Sequence, residues 1–264
     1  MVKFWKYIQH VVIVILVIEL GCFIVDKVVS EEDSISSLEL ALRMAKDNRT
    51  ELEKVLYYYQ QDAIDSLKYK AACFLIENMP YYSYIYGEQL EKYKKYYAWL
   101  KDSHGKTPEE VVDSVKKTFG LIEQLDKKYD LLEVDSAYLC SNIEWAFKVW
   151  HEQPWGKNIS FDVFCEYLLP YRVGDESLSY WREMYYEKYN PLLDSLRMSD
   201  SLDIENPVVA ANYLINKLPD KWHYYTSTTP YSFGHIGPEY VQYLSGTCRE
   251  VTDFAVYLFR ALGI

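Results

Sequence analysis

The one arrangement in this chain that could carry covalent chemistry lies in SGTCREVTDFAVYLFRALGI, residues 245–264. Gly246 and Thr247 supply a turn and a candidate cap, and Cys248 follows. From there Val251, Phe254, Ala255, Leu258, Ala261 and Leu262 repeat at helical spacing, which predicts a helix with Cys248 in its first turn. A thiol in that place meets unpaired backbone N–H groups and the positive end of the helix dipole, both of which favour an anion. Arg249 adds positive charge beside it. The same stripe also fits a cysteine that is only a small packing residue on an apolar helix face, so periodicity leaves both roles open.

A nucleophile needs a base, and all five histidines, at 10, 104, 151, 223 and 235, precede Cys248. His223 in KWHYYT and His235 in SFGHIG could serve as base only in a permuted arrangement, and otherwise read as loop or aromatic-packed residues. Asp253, five residues along the helix, points away from Cys248 and is expected to orient nothing there. The other cysteines, at 22, 73, 140 and 165, form no C-x-x-C and pair with no histidine at ligand spacing, so neither a metal nor another cofactor is expected. Cys73, Cys140 and Cys165 sit in apolar helical contexts and read as core.

The elements that would position this chemistry are helical. TELEKVLYYY offers a capping box, Thr50 with Glu53, ahead of a stripe at Leu52, Val55, Leu56 and Tyr59. Ile64, Leu67, Ala71, Phe74 and Leu75 mark the buried face of the next helix, which Pro80 stops. Further helices are expected from Thr107 and Pro108, over SAYLCSNIEWAFKVW, SFDVFCEYLLP and SLSYWREMYYEKYNPLLDSL, and from Asn206 and Pro207 to about Lys217. Arg172, Asp175, Glu176 and Arg182 read as the solvated charges of a helix start. WHYYTSTT reads as an extended segment.

Composition narrows the partners. The net charge of −11, with no basic stripe, excludes a phosphate-backbone partner, so no nucleic acid is expected. The 27 Tyr and 7 Trp suit a core and also glycan or peptide contacts. At the N-terminus, Lys3 and Lys6 precede the apolar run VVIVILVIELGCFIV, the pattern of an export signal. ELGC there resembles the lipobox of bacterial lipoproteins, with Cys22 as the residue to be lipidated, although Glu19 stands where the box favours Leu. A lipidated Cys22, an uncleaved anchor and a cleaved start all remain open. Either of the first two places the rest of the chain outside the cytoplasm, at the cell envelope, with the membrane met through the N-terminus.

SGTCREVTDFAVYLFRALGI resembles the nucleophile motif of the bacterial transglutaminase-like superfamily, matching at Gly246, Cys248, Arg249, Leu258, Arg260, Ala261, Leu262, Gly263 and Ile264. The resemblance is specific over about these residues and extends more loosely over residues 201–264. It implies a papain-like fold in which this cysteine attacks a carboxamide or peptide carbonyl of a protein or peptide substrate, aided by a His and then an Asp on strands downstream. Only Cys248 has a position in this sequence that matches a catalytic residue of the family. The expectation is therefore a mainly α chain: a membrane anchor over residues 1–30, a helical domain over 31–200, and over 201–264 the first, helical part of a transglutaminase-like core without its β-sheet. The chain would be truncated after the nucleophile helix and inactive by itself, its last helix exposing Val251, Ala255 and Leu258. The complete protein would perform cysteine-dependent acyl transfer or amide hydrolysis. The alternative is a non-enzymatic, envelope-anchored helical module that binds glycan or peptide.

Overall fold

The computed structural model describes residues 35–101, 108–120, 125–218, 222–224 and 234–264 and is mainly helical. Residues 1–40 and 41–264 are two compact units, the first described only from residue 35. The expected anchor, with Cys22, lies outside the described residues. Among the described residues no helix is long and apolar enough to cross a membrane.

Helix α1 covers Ser37–Met44, α2 Arg49–Gln60 and α3 Ser66–Asn78. The capping box expected at Thr50 and Glu53 does not form. A 3-10 turn over Lys46–Asn48 runs straight into α2, leaving no extended cap residue there. Thr50 Oγ1 instead donates to the Asp47 carbonyl, and Glu53 pairs with Arg49 at 2.7 Å. Leu52, Val55 and Tyr59 are buried as expected. Ile64 is exposed, because α3 begins only at Ser66, behind a turn capped by Asp62, and buries Ala71, Ala72, Leu75 and Ile76.

The tyrosine-rich stretch after Pro80 is a strand, β1 (Ser83–Tyr86), antiparallel to β2 (Asp126–Tyr129) with Ser83 opposite Tyr129. Its period-2 alternation puts Ile85 inside and Tyr86 out. Gly87, at φ 106°, turns the chain into α4 (Glu88–Lys101). Tyr93, Tyr96 and Tyr97 on α4 are all buried, Tyr93 and Tyr97 with ring centroids 5.1 Å apart. Helix α5 covers Pro108–Phe119; its expected cap, Thr107, lies outside the described residues.

Asp135 caps α6 (Ser136–Glu152), accepting from the Tyr138 N–H at 2.7 Å. A short helix at Phe161–Val163 then widens into a π turn over Phe164–Leu168. Helix α7 (Trp181–Tyr189) follows, and α8 (Pro207–Lys217) carries the expected Asn206 cap. Two short strands, β3 (His223–Tyr224) and β4 (Ser245–Gly246), pair in parallel ahead of α9 (Cys248–Leu262).

Helix α9 lies along α7 in the core of the second unit: Trp181 and Tyr185 pack on Tyr257 at centroid distances of 5.0 and 5.8 Å, and Tyr189 meets Phe254. Tyr59, Tyr93, Tyr96, Tyr171, Tyr185 and Tyr257 are all fully buried, so much of the tyrosine content fills the interior.

Candidate functional site

Cys248 is exposed and occupies the first position of α9. Thr247, in extended conformation, is the cap: its Oγ1 accepts from the Arg249 N–H at 3.3 Å. Glu250 reaches back, and its Oε2 accepts from the Thr247 N–H at 2.8 Å and from Thr247 Oγ1 at 2.6 Å, completing a capping box. Gly246, at φ 145°, makes room for this: a Cβ there would lie 2.8 Å from Glu250 Cβ. Gly, Thr, Cys and Glu in this order thus build a helix start that presents the thiol to solvent while burying the carboxylate.

Glu250 is buried and both its oxygens are engaged. Oε1 accepts from Tyr97 Oη at 2.5 Å and from Arg249 Nη2 at 3.2 Å. Burial pushes this carboxyl up, but the hydrogen bonds from Thr247 and Tyr97 and the Arg249 charge outweigh it and hold the group below its ordinary value. Arg249 also donates to Tyr93 Oη at 3.3 Å, and Tyr93 Oη donates to the Gly234 carbonyl at 3.3 Å.

His235 and Asp253 form a pair that the sequence pattern does not reveal. His235 Nδ1 lies 2.8 Å from Asp253 Oδ2; the carboxylate accepts, which puts the proton on Nδ1. The backbone N–H of His235 donates to Asp175 Oδ1 at 2.9 Å, and Lys127 holds the other oxygen of Asp175. Asp253 points away from Cys248 as expected, yet it orients a histidine elsewhere, because the loop before Pro238 folds back onto α9. At about 100° per residue, Asp253 faces some 140° away from Cys248, so the pair and the thiol lie on different sides of the helix. The Asp253 hydrogen bond, set against partial burial, raises the His235 imidazole above its ordinary value. His151 packs on Trp150, and His10 and His104 lie outside the described residues.

The remaining described thiols are also free. Burial pushes Cys73 and Cys140 up, and Cys165 up to about 12. No group of three or more metal-ligating side chains occurs among the described residues.

The charges expected at a solvated helix start are largely buried. Arg172 pairs with Asp130, both in the interior, and Glu176 accepts from the Val173 and Gly174 N–H groups at 2.9 and 2.7 Å. Arg182 is buried among the carbonyls of Leu168, Leu169 and Pro170 at 2.6–3.2 Å. The wide π turn leaves these carbonyls without helical donors, and a guanidinium with five N–H groups meets that demand.

On the Cys248 side of α9 an apolar groove of about 500 Å³ opens between Ile215, Leu218, Trp222, Leu244, Val251 and Ala255. Val251 and Ala255 are half-buried there, whereas Leu258, expected to be exposed with them, is buried because Leu258 also reaches the aromatic core. Trp222 Nε1 donates to the Gly246 carbonyl at 3.4 Å and fixes one wall beside the cysteine turn.

No family model, curated protein or solved structure matches the chain.

Proposed function

We propose that this chain carries the nucleophile of a transglutaminase-like, cysteine-dependent acyl-transfer or amide-hydrolysing protein. The observation that carries it is the exposed Cys248 thiol at the first position of a long, firmly capped helix, within the residues that resemble the family's nucleophile motif. In that chemistry Sγ would attack the carbonyl carbon of a protein or peptide amide, the C–N bond would break with a proton passing to the departing amine, and a thioester would remain for water or a second amine.

Proton transfer needs a base at the thiol. His235 bonds Asp253 on another side of α9, and His151 packs on Trp150. The resemblance assigns this task to a His and an Asp downstream of the nucleophile helix, and the present residues would supply the nucleophile and its scaffold. An envelope location through the N-terminal segment belongs to the same proposal. The alternative, a binding module for glycan or peptide, draws on the tyrosine content, much of which is spent on the core.

The test is alkylation of the full chain with iodoacetamide across pH, each cysteine followed by peptide mass. Cys248, the exposed thiol, is expected to react well ahead of Cys73, Cys140 and Cys165. Reaction at the pace of the other three thiols would overturn the nucleophile assignment.

A further inference from the structure

We propose that Tyr93 and Tyr97 of α4 are positioning residues for Cys248, clamping the chain on both sides of the nucleophile. The inference rests on Cys248 being the nucleophile and adds to it a role for a helix some 150 residues earlier in sequence.

A capping box is a local device and closes between Thr247 and Glu250 alone. Here a distant element enters it. Tyr97 Oη donates to Glu250 Oε1 at 2.5 Å inside the protein, a charge-assisted bond between two buried groups. It occupies the carboxylate oxygen that the box leaves over. One turn earlier on α4, Tyr93 Oη accepts from Arg249, which directly follows the cysteine, and donates to the carbonyl of Gly234 in the loop that precedes it. Two hydroxyls at i and i+4 thus hold the chain before the nucleophile and the first turn after it. The packing of α4 on β4 and on the short helix Pro238–Val241 brings the same region together.

The geometry has a chemical consequence. Cys248 holds the first position of α9, in the turn that Thr247 and Glu250 close, so its placement depends on what holds Glu250. Neither tyrosine would touch substrate; both act through Glu250, Arg249 and the Gly234 carbonyl. The region before residue 200 is then a part of the nucleophile's mounting as well as a separate stretch of helices.

The experiment uses the full chain with Tyr97→Phe, which keeps the ring in the core and deletes the hydroxyl, and Glu250→Gln as a second variant of unchanged size. Two readouts are taken: hydrogen exchange of the Cys248, Arg249 and Glu250 amides, and the pH profile of iodoacetamide alkylation for each cysteine. Tyr97→Phe is expected to speed exchange of those amides about fivefold, the factor one ordinary hydrogen bond is worth, with the middle of α6 unchanged. It is expected to move the Cys248 alkylation profile while leaving those of Cys73, Cys140 and Cys165 in place. Glu250→Gln, which turns one of the two accepting oxygens into an NH2 donor and so cannot serve Thr247 and Tyr97 together, should do at least as much to exchange. Unchanged exchange and an unchanged Cys248 profile in either folded variant would overturn the clamp. If wild-type Cys248 is as inert as Cys73, Cys140 and Cys165, the nucleophile assignment falls and the proposed positioning role falls with it; faster exchange in the variants would then show a structural tie only.

Discussion

Arg182 donates from Nη1 to the backbone carbonyl of Arg260 at 3.1 Å, and Arg260 in turn donates from Nε to the carbonyl of Tyr167 at 2.8 Å. Two arginines from α7 and α9 thereby gather the carbonyls that the π turn leaves open. Segments almost a hundred residues apart are joined with no carboxylate opposing Arg182 among the described residues. Its neighbours are dipoles, which is why burial and the Arg260 charge push the Arg182 guanidinium down to about 9.

Replacing Arg182 is therefore expected to cost more than a surface arginine would. Arg182→Met removes the donor to Asn142 Oδ1 and to four carbonyls at once; Leu169 and Pro170 keep donors from Asn142 and Arg260, while the buried Asn142 Oδ1 and the Leu168 carbonyl lose theirs. The expected loss is about 3 kcal/mol or more, read from urea unfolding followed by tryptophan fluorescence. Arg182→Lys should recover only part, because an ammonium cannot reach acceptors on several sides. A loss under about 1 kcal/mol for Arg182→Met would show that the carbonyls find other donors.

The end of α9 makes a second test. Gly263 sits at φ 68°, where α9 stops in a left-handed cap, and a Cβ there would lie 2.8 Å from the Val149 carbonyl of α6. Trp155 Nε1 donates to the Leu262 carbonyl at 3.0 Å, so the turn cannot swing away freely. Gly263→Ala combines left-handed strain with a backbone contact and is expected to lower stability by about 1–3 kcal/mol in the same unfolding measurement. A neutral result would mean that α6 yields at Val149.

These two cases show where sequence patterns suffice and where they stop. The helix at Cys248 is legible because its apolar stripe runs unbroken for four turns, and Asn206 with Pro207 announces α8 through side chains that act locally. Thr50 and Glu53 carry the same local signature and fail, because a preceding 3-10 turn removes the extended cap residue. Arg172 and Arg182 look like surface charges because their partners, Asp130 and the carbonyls of residues 168–170, are set by tertiary packing. The His235–Asp253 pair has no periodicity at all: it joins a loop to a helix face, and only the fold brings the two together.

That pair gives a pH prediction. His235 faces Asp253, with Asp175 and Glu176 also acting on it and Lys127 bound to Asp175. Asp253 favours the protonated imidazole, so its folded value is raised above the ordinary 6.5. The protonated pair stabilises the fold fully below about 6.5 and loses that contribution as pH climbs through the raised value. NMR titration of the His235 ring in the wild type should therefore give a midpoint above 6.5, and Asp253→Asn should bring it down. An unchanged midpoint in Asp253→Asn would assign the shift to Asp175 and Glu176.

The groove along α9 supplies the last contrast, between two apolar residues of one stripe. Leu258 is 1% exposed and packs in the main core, so Leu258→Ala leaves a cavity. The expected cost is about 2–5 kcal/mol, as for other buried leucines. Val251 sits two turns earlier on the same side, only half-buried at the groove, where solvent already meets part of its surface. Val251→Ala should therefore cost under about 1 kcal/mol, since the transfer contribution shrinks with the area hidden from water and no closed cavity forms. Urea unfolding of both variants decides the matter. Equal losses at the two positions would mean that the groove is closed in solution and that Val251 is core, and a large gap would mark the Cys248 side of α9 as open beside the thiol.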